Sequence, residues 1–390
     1  MKTWKLVLFL ALLSASCKKP YNPSVVNSPR SYLVVEGAIS TNDTTVIKLS
    51  RTVNLSNGST VNPVMAAVVT VESDHGLTYP VFESTTPGTY KLYAGPLDVS
   101  QRYRLRIKTS NDNKEYLSDY SVVKVTPPID SIGFNLTSTG IQIYANAHDA
   151  TNNTRYYRYS YEETWRFHAR YSSDYVSNHV NDVVPRTVDQ RIYFCFAGNK
   201  SSTVVLASTA KLKEDQLFQA PITEILSTSE KIELRYSILL RQYAMSAESY
   251  KFWSLLKKNT EQLGGIFDAE PTELTGNIHN TADATDIVIG YIDAGTVATK
   301  RVFIDNSQLP DTFRATYPYS GCAVDSNYYI NPLTGANQVL QNLVPELEFT
   351  LYGIFSPGSL KPVGYGAAPR ECADCSIRGV TKQPDFWTTN

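Results

Sequence analysis

Five cysteines supply the most reactive side chains in this chain of 390 residues, at positions 17, 195, 322, 372 and 375. Cys372 and Cys375 have the Cys-x-x-Cys spacing that redox pairs and zinc sites use. A redox pair of this kind belongs to a βαβ pattern, which is missing here, and a zinc site needs a second pair of closely spaced ligands. We therefore predict a structural role, with Cys195, Cys322, Cys372 and Cys375 as disulfide candidates.

Cys17 follows a segment with the three parts of a secretory signal. Two lysines give it positive charge, residues 6–13 are apolar, and residues 14–16 are small. The apolar part is much shorter than the roughly 20 residues of a membrane-spanning helix. A cysteine directly after small residues matches the lipobox pattern, in which the thiol is diacylated, although Leu13 stands one place further upstream than usual.

These features predict a lipoprotein signal peptide at residues 1–16, lipidation of Cys17 and a flexible tether at residues 17–30. Several acyl chains anchor a protein stably, whereas a single chain does not. Ordinary secretion with an unmodified cysteine is the alternative. Because either route exports the chain to an oxidising compartment, the remaining four cysteines are expected to pair, and three pairings are open.

Charge and motifs argue against several classes of function. The chain has 36 Lys and Arg against 37 Asp and Glu, so it lacks the basic surface that a nucleic-acid partner requires. None of the five histidines belongs to a His-x-x-x-His pair, and no Gly-x-Ser-x-Gly elbow or phosphate-binding loop is present. We expect no metal, no cofactor and no enzymatic activity. A catalytic site assembled from distant loops remains the alternative.

Residues 31–126 have short alternating strands separated by turns, such as Asn57-Gly58. In residues 102–107, arginines alternate with Tyr103, Leu105 and Ile107, which indicates a strand with one buried face. About seven such strands predict an immunoglobulin-like β-sandwich.

The paired prolines after Thr126 are expected to end this domain. Residues 127–356 then predict a larger β-rich domain with one prominent helix at 246–263, for which Ser246 is a good N-cap. A shorter helical turn is predicted at 209–219, closed off by Pro221. Residues 357–390 are interpreted as a Gly/Pro-rich tail that contains the cysteine pair. The fold class is therefore mainly β.

The strand predicted at 155–171 has an unusual distribution of side chains. Aromatic residues, among them Tyr157, Tyr159 and Trp165, share one face, whereas arginines, among them Arg166 and Arg170, share the other. One hypothesis is an aromatic platform for a sugar or peptide, or an arginine-lined face for an acidic ligand. The other is a core strand with a charged solvent face, which is the usual pattern of an antiparallel sheet.

A second candidate ligand site is the segment Gly276-Asn277-Ile278-His279-Asn280. Asn277 and His279 are the candidate ligand-binding residues, because functional residues favour loops. The structural alternative is a tight turn with positive φ at Gly and Asn.

Several segments follow one another in the order found in a known family. They are Tyr32–Gly37, Leu49–Thr52, Pro127–Ile132, Tyr236–Ile238, Ser246–Arg301, Glu371–Cys375, Pro384 and Phe386-Trp387. In this order the chain resembles a Bacteroidota envelope-lipoprotein family that is catalogued as domain of unknown function 4249. The resemblance implies location and neighbours and no specific chemistry, since members of the family resemble partners of TonB-dependent outer-membrane receptors.

Together, the anchor and the resemblance lead us to expect a non-enzymatic lipoprotein of the outer membrane. It would capture a ligand for, or act as an accessory partner of, a TonB-dependent receptor. A structural or adhesion module of the envelope is the second hypothesis, and an unrecognised hydrolase is the third. Lys18 and Lys19 replace the acidic cluster that would favour export to the surface, which leaves the periplasmic and cell-surface faces both open.

Overall fold

The structure is a computed structural model that describes residues 31–53, 61–93, 96–261, 274 and 276–388. The predicted signal peptide, Cys17 and the tether lie outside these residues. The described part is mainly β, as predicted, and its strands form five sheets. Within the described ranges, no helix has both the length and the apolar character needed to cross a membrane.

The largest sheet has twelve strands and forms the predicted immunoglobulin-like unit. Numbered in chain order, its strands are β1 Leu33–Ser40, β2 Thr45–Arg51, β3 Asn62–Pro63, β4 Val68–Ser73, β5 Thr78–Glu83, β6 Thr89–Leu92, β7 Arg102–Lys108, β8 Glu115–Ser118, β9 Ser121–Val122, β19 Ile278–Asn280, β20 Val288–Gly290 and β21 Ala294–Gly295. The alternation read in β7 is confirmed, since Tyr103, Leu105 and Ile107 are buried in the core of this unit. Its arginines are on the other face, where Arg104 and Arg106 contact Glu72 and Arg102 contacts Asp74.

The last three strands of this sheet correct the predicted domain boundaries. Residues 278–295 fall in the predicted domain 127–356, yet β20 and β21 both pair in parallel with β1, and β19 pairs with β8. Ile292 and Ala294 are fully buried in the core of the first unit. Parallel partners are joined by long crossovers, so the spacing of strands in the sequence does not reveal such a pairing.

Two further sheets form the second unit, and a hairpin inserted in this part of the chain packs against the C-terminal region. The strands in this part of the chain are β10 Ile129–Leu136, β11 Gly140–His148, β12 Tyr156–His168, β13 Tyr175–Ser177, β14 Val183–Pro185, β15 Phe194–Lys200, β16 Val205–Ser208, β17 Gln216–Leu226, β18 Arg235–Ala244 and β22 Val297–Asp305, of which β13 and β14 form the hairpin. The order is β10-β11-β17 in one sheet and β15-β12-β18-β22 in the other, where β16 also pairs with β12. The buried faces of these two sheets share one core.

The helix of this unit is α1, Ala247–Glu261. Its predicted N-cap is confirmed, because the Ser249 amide donates to Ser246 Oγ at 3.0 Å. The last two residues of the predicted helix 246–263 lie outside the described residues. The helical turn predicted at 209–219 is wrong: β17 begins at Gln216 and continues through Pro221. Proline is tolerated there because β17 is an edge strand with a register shift at this position.

The C-terminal region is more ordered than the predicted tail 357–390. Its elements are β23 Asp325–Tyr328, β24 Phe349–Phe355, β25 Pro362–Ala368 and α2 Arg370–Ala373. The boundary predicted at 356 divides the hairpin of β24 and β25, which are paired. Single helical turns complete the described structure at Val188–Gln190, Glu230–Ile232, Asn306–Gln308, Val339–Leu343 and Cys375–Ile377. Disulfides join Cys195 to Cys375 and Cys322 to Cys372.

Candidate functional site

A cleft of about 520 Å³ lies where the first unit meets the second. Strands β1 and β2 form one wall, and β12, β18 and α1 form the other, with the residues around β21 between them. Its volume falls in the range of roughly 300–1,000 Å³ that is usual for small-molecule sites. The cleft therefore has the size and the position between units that binding sites commonly have.

The alternation of β12 determines which of its side chains reach the cleft. Tyr157 and Tyr159 are buried in the core of the second unit. Because neighbouring strand residues point to opposite faces, Arg158, Ser160 and Glu162 line the cleft instead.

Arg158 is held between two aromatic rings. Its guanidinium carbon lies 4.6 Å from the centre of the Tyr243 ring on β18 and 4.7 Å from that of Trp253 on α1. Such cation–π contacts stabilise a desolvated guanidinium. Burial lowers the pKa of Arg158, while the charges of Tyr243, Asp293 and Glu36 oppose the shift. The guanidinium makes no hydrogen bond or ion pair with any described residue.

Asp293 is the carboxyl group with the largest electrostatic effect on the pKa of Arg158. It lies between β20 and β21, and its backbone carbonyl accepts a hydrogen bond of 2.8 Å from the Ile39 amide of β1. Burial raises the pKa of its carboxyl to about 6, against the opposing effects of Ser249, Arg158 and Lys124. Arg158 and Asp293 thus influence each other across the cleft without forming an ion pair.

Arg241 of β18 differs from Arg158 because it forms ion pairs with carboxylates of the protein. It pairs with Asp43 of the first unit at 3.5 Å and with Glu162 of the second unit at 3.4 Å. Its charge is therefore compensated within the protein, and it links the two walls of the cleft. Of the two arginines in the cleft, Arg158 is the one whose hydrogen-bond donors are available to a ligand.

The remaining charges of the cleft lie on the first unit. Glu36 of β1 and Lys48 of β2 are directly opposite each other in register. Lys91 of β6 lines the cleft beside them, and the side chain of Tyr93 at the rim is 72% exposed. The cleft thus combines charges on the first unit with the half-buried Arg158 and Asp293, which form no ion pair with a described residue.

The aromatic platform predicted on β12 is wrong for two of its residues. Tyr157 donates its hydroxyl to Asp215 at 2.6 Å, and Tyr159 donates to Gln242 at 2.8 Å. Both rings are fully buried, so neither offers a face to a ligand. The alternative of a core strand with a charged outer face describes this part of β12.

The other candidates on this strand do not converge on one place. Trp165 donates its indole N–H to Glu230 at 3.2 Å and packs against the core. Arg166 lies 4.2 Å from the centre of the Phe194 ring. Arg170 is exposed and lies about 6 Å from the ring centres of the adjacent Tyr171 and of Tyr317. None of the three lines the cleft.

Asn277 has a structural role in the first unit. Its side chain is buried, donates to the Ile292 carbonyl at 2.9 Å and accepts from the Ile292 amide at 2.8 Å. The predicted tight turn is wrong, because Gly276 and Asn277 do not have positive φ. Glycine is needed for another reason: a Cβ at Gly276 would lie 1.7 Å from the Gly290 carbonyl oxygen. His279 is exposed, with Nε2 at 3.7 Å from Asp119.

Sequence patterns missed the residues that form the cleft. In the sequence, Arg158 is one of several charges on one face of β12, and Trp253 is one of several apolar residues of α1. Asp293 gave no signal, since it is a single acidic residue between short apolar segments. The parallel pairing of β1 with β20 and β21 brings it to the cleft. Among the described residues, no group of three or more His, Cys, Asp and Glu side chains is arranged to hold a metal ion.

A family model described as "Domain of unknown function (DUF4249)" matches residues 18–301. The chain belongs to this family. The described residues that line the cleft lie between Glu36 and Val297, so the DUF4249 match includes the whole of this site. It ends before β23 and the rest of the C-terminal region.

Other comparisons add little to the DUF4249 assignment. No curated protein matches the chain. A segment of two fibronectin type III domains from chicken tenascin aligns with 12% identity and a TM-score of 0.18, over 55% of this chain and 93% of that one. A structure titled as manganese lipoxygenase of Gaeumannomyces graminis with part of zonadhesin of Komagataella pastoris aligns with 10% identity and a TM-score of 0.15, over 57% and 91%. At these scores neither likeness supports a functional argument.

Proposed function

We propose that this protein is a non-enzymatic lipoprotein of the bacterial outer membrane that captures a ligand for a TonB-dependent receptor. The observation that carries the proposal is the cleft between the two units, in which Arg158 is oriented by two aromatic rings and has no partner in the described protein. Leaving a desolvated charge unpaired costs stability, so its retention favours a role in binding.

The composition of the cleft favours binding over catalysis. The described residues that line it include no histidine or cysteine, which are the side chains that most often act as general base or activated nucleophile at neutral pH. Its charged and aromatic side chains are those that orient a ligand. An anchored protein with such a cleft is suited to hold a ligand close to a membrane transporter.

The location rests on the sequence. A signal peptide at 1–16, a lipobox cysteine at Cys17 and a tether at 17–30 support a lipid anchor. Membership of DUF4249 supports the Bacteroidota envelope as the setting, through the resemblance of that family to partners of TonB-dependent receptors. Both faces of the outer membrane are compatible with these features.

The test is a detergent pull-down of the full-length lipidated protein from its native membrane, with partners identified by mass spectrometry. We expect a TonB-dependent receptor to co-purify. The matched control is Cys17→Ser, which should appear in the soluble fraction with the mass of an unlipidated chain. No receptor in the pull-down, together with unchanged uptake after deletion of the gene, would instead support a structural or adhesion role.

A further inference from the structure

We infer that the cleft recognises a small ligand through a carboxylate group, which Arg158 binds, next to a hydrogen-bond donor of the ligand, which Asp293 accepts. The inference rests on the proposed function and specifies the chemistry of the ligand. It follows from the orientation of Arg158, the position of Asp293 and the balance of charges around them.

The contacts of Arg158 determine how a ligand approaches it. The centres of the Tyr243 and Trp253 rings lie within 5 Å of its guanidinium carbon. The N–H groups at the edge of the guanidinium remain available, since they make no hydrogen bond to a described residue. Two parallel N–H groups of an arginine match the two oxygens of a carboxylate, and this paired geometry is stronger and more specific than a single contact.

Asp293 supplies the second half of the recognition. Asp293 and Arg158 both line the cleft, yet the two do not form an ion pair. A ligand that contacts both must offer an acceptor to Arg158 and a donor to Asp293. Sugar acids, amino acids and the C-termini of peptides meet this requirement, because a hydroxyl, ammonium or amide N–H group lies close to their carboxylate.

The other charged side chains that line the cleft balance one another. Arg241 is compensated by Asp43 and Glu162. Glu36 and Lys48 face each other across β1 and β2.

Lys91 offsets the second carboxylate around Arg241, so Arg158 and Asp293 remain as one positive and one negative charge. A ligand with a carboxylate for Arg158 and a hydrogen-bond donor for Asp293 would complement both. Its volume of about 520 Å³ limits the ligand to a small molecule or to the end of a larger one.

Two sources share this chemistry, namely sugar acids and amino acids or short peptides. Titration calorimetry of the purified soluble chain distinguishes them with two matched pairs of probes. Glucuronate is compared with methyl glucoside, which lacks the carboxylate, and alanyl-alanine is compared with its C-terminal amide. We expect binding of the acid in one pair and at least tenfold weaker binding of the counterpart that lacks the carboxylate.

The variants locate the interaction. Arg158→Gln should weaken binding of the acid by roughly tenfold to a hundredfold, since a charge-assisted hydrogen bond is lost. Arg158→Lys keeps the charge but not the paired N–H groups and should recover only part of the loss. Arg170→Gln is the matched control, because Arg170 also contacts two aromatic rings but lies outside the cleft.

Equal binding of an acid and of its counterpart without the carboxylate would overturn the inference. So would the absence of binding of either acid to the folded wild-type chain. Neither result requires any variant to fold. Receptor capture without binding of an acid would reject the ligand class alone. Acid binding without any receptor in the pull-down would reject the receptor partnership alone.

Discussion

Cys372 and Cys375 lie three residues apart but belong to different disulfides. Cys372 is joined to Cys322, which precedes β23, and Cys375 is joined to Cys195 of β15. A Cys-x-x-Cys redox pair forms a bond between its own two cysteines, so this connectivity excludes that role. The two bonds instead fix the short helix α2 between the C-terminal sheet and the second unit. They are one of the three pairings that the sequence left open.

Removing the Cys195–Cys375 disulfide, which closes the longer loop of the chain, should destabilise the protein. In Cys195→Ser/Cys375→Ser, we expect the free energy of unfolding to fall by about 2–5 kcal/mol, because a cross-link between distant residues restricts the unfolded chain. Denaturant unfolding measures the change. Peptide mapping under non-reducing conditions checks the connectivity first, and a peptide that links Cys372 to Cys375 would contradict it.

Asp293 should make stability depend on pH. Its pKa is raised from 3.8 to about 6 by burial, with Arg158, Glu248, Ser249 and Lys124 as the groups that face it. The unfolded chain therefore releases this proton at lower pH than the folded chain. Asp293 makes its full contribution to the free energy of unfolding below pH 3.8, and this contribution is lost as the pH rises toward 6. The free energy of unfolding falls by roughly 3 kcal/mol in total.

Asp293→Asn removes this dependence. We expect the variant to be more stable than the wild type at pH 8 by about 1–3 kcal/mol, with a difference that shrinks as the pH approaches 4. Thermal unfolding of both proteins across this pH range is the measurement. A variant that is less stable at pH 8 would show that the ionised carboxylate is compensated in the folded state. A stability gain from removing a charge is also what a binding site predicts.

Asn277→Ala tests the structural role assigned to that residue. The change leaves the buried N–H and carbonyl of Ile292 without their partner, and an unsatisfied buried group costs about 1–3 kcal/mol. We expect a loss of that order for each group. His279→Ala is the control from β19, which directly follows Asn277, since His279 is exposed and should change stability by less than about 0.5 kcal/mol. A large loss of ligand affinity in the His279 variant would restore it as a site residue.

Local patterns predicted the parts of this fold that depend on neighbours in the chain. The alternation in β7 and β12 gave the correct buried faces, and Ser246 gave the correct start of α1. These features follow from side-chain periodicity and from capping, which act over a few residues.

The same reasoning could not predict contacts between distant segments. Pairing of β1 with β20 and β21 joins residues more than 250 positions apart. The alternation of apolar and polar residues along a strand does not indicate which distant strand it pairs with. The cleft depends on this pairing, because it brings Asp293 to Arg158. The disulfide connectivity was equally inaccessible, since all three pairings satisfy the spacing of the cysteines.

Two adjacent glutamates on β12 provide the last prediction, because they occupy opposite faces of one strand. Glu162 is exposed toward Lys200, whose Nζ lies at 3.9 Å. Glu163 is 3% exposed, accepts from Lys231 Nζ at 2.6 Å and accepts from the Tyr236 hydroxyl at 2.8 Å. Glu162 is therefore paired with a solvent-exposed lysine, whereas Glu163 is paired within the protein interior.

Removing the lysine partner should affect these two pairs very differently. Lys231→Met leaves the Glu163 charge buried and uncompensated, so we expect a loss of about 3–5 kcal/mol in the free energy of unfolding. Lys200→Met removes a screened surface pair and should change stability by less than about 1 kcal/mol. The double variant Glu163→Gln/Lys231→Met should recover part of the loss, since the amide has no charge to desolvate. Chemical denaturation of the three variants decides, and equal effects of the two lysine changes would show that Glu163 is reached by solvent.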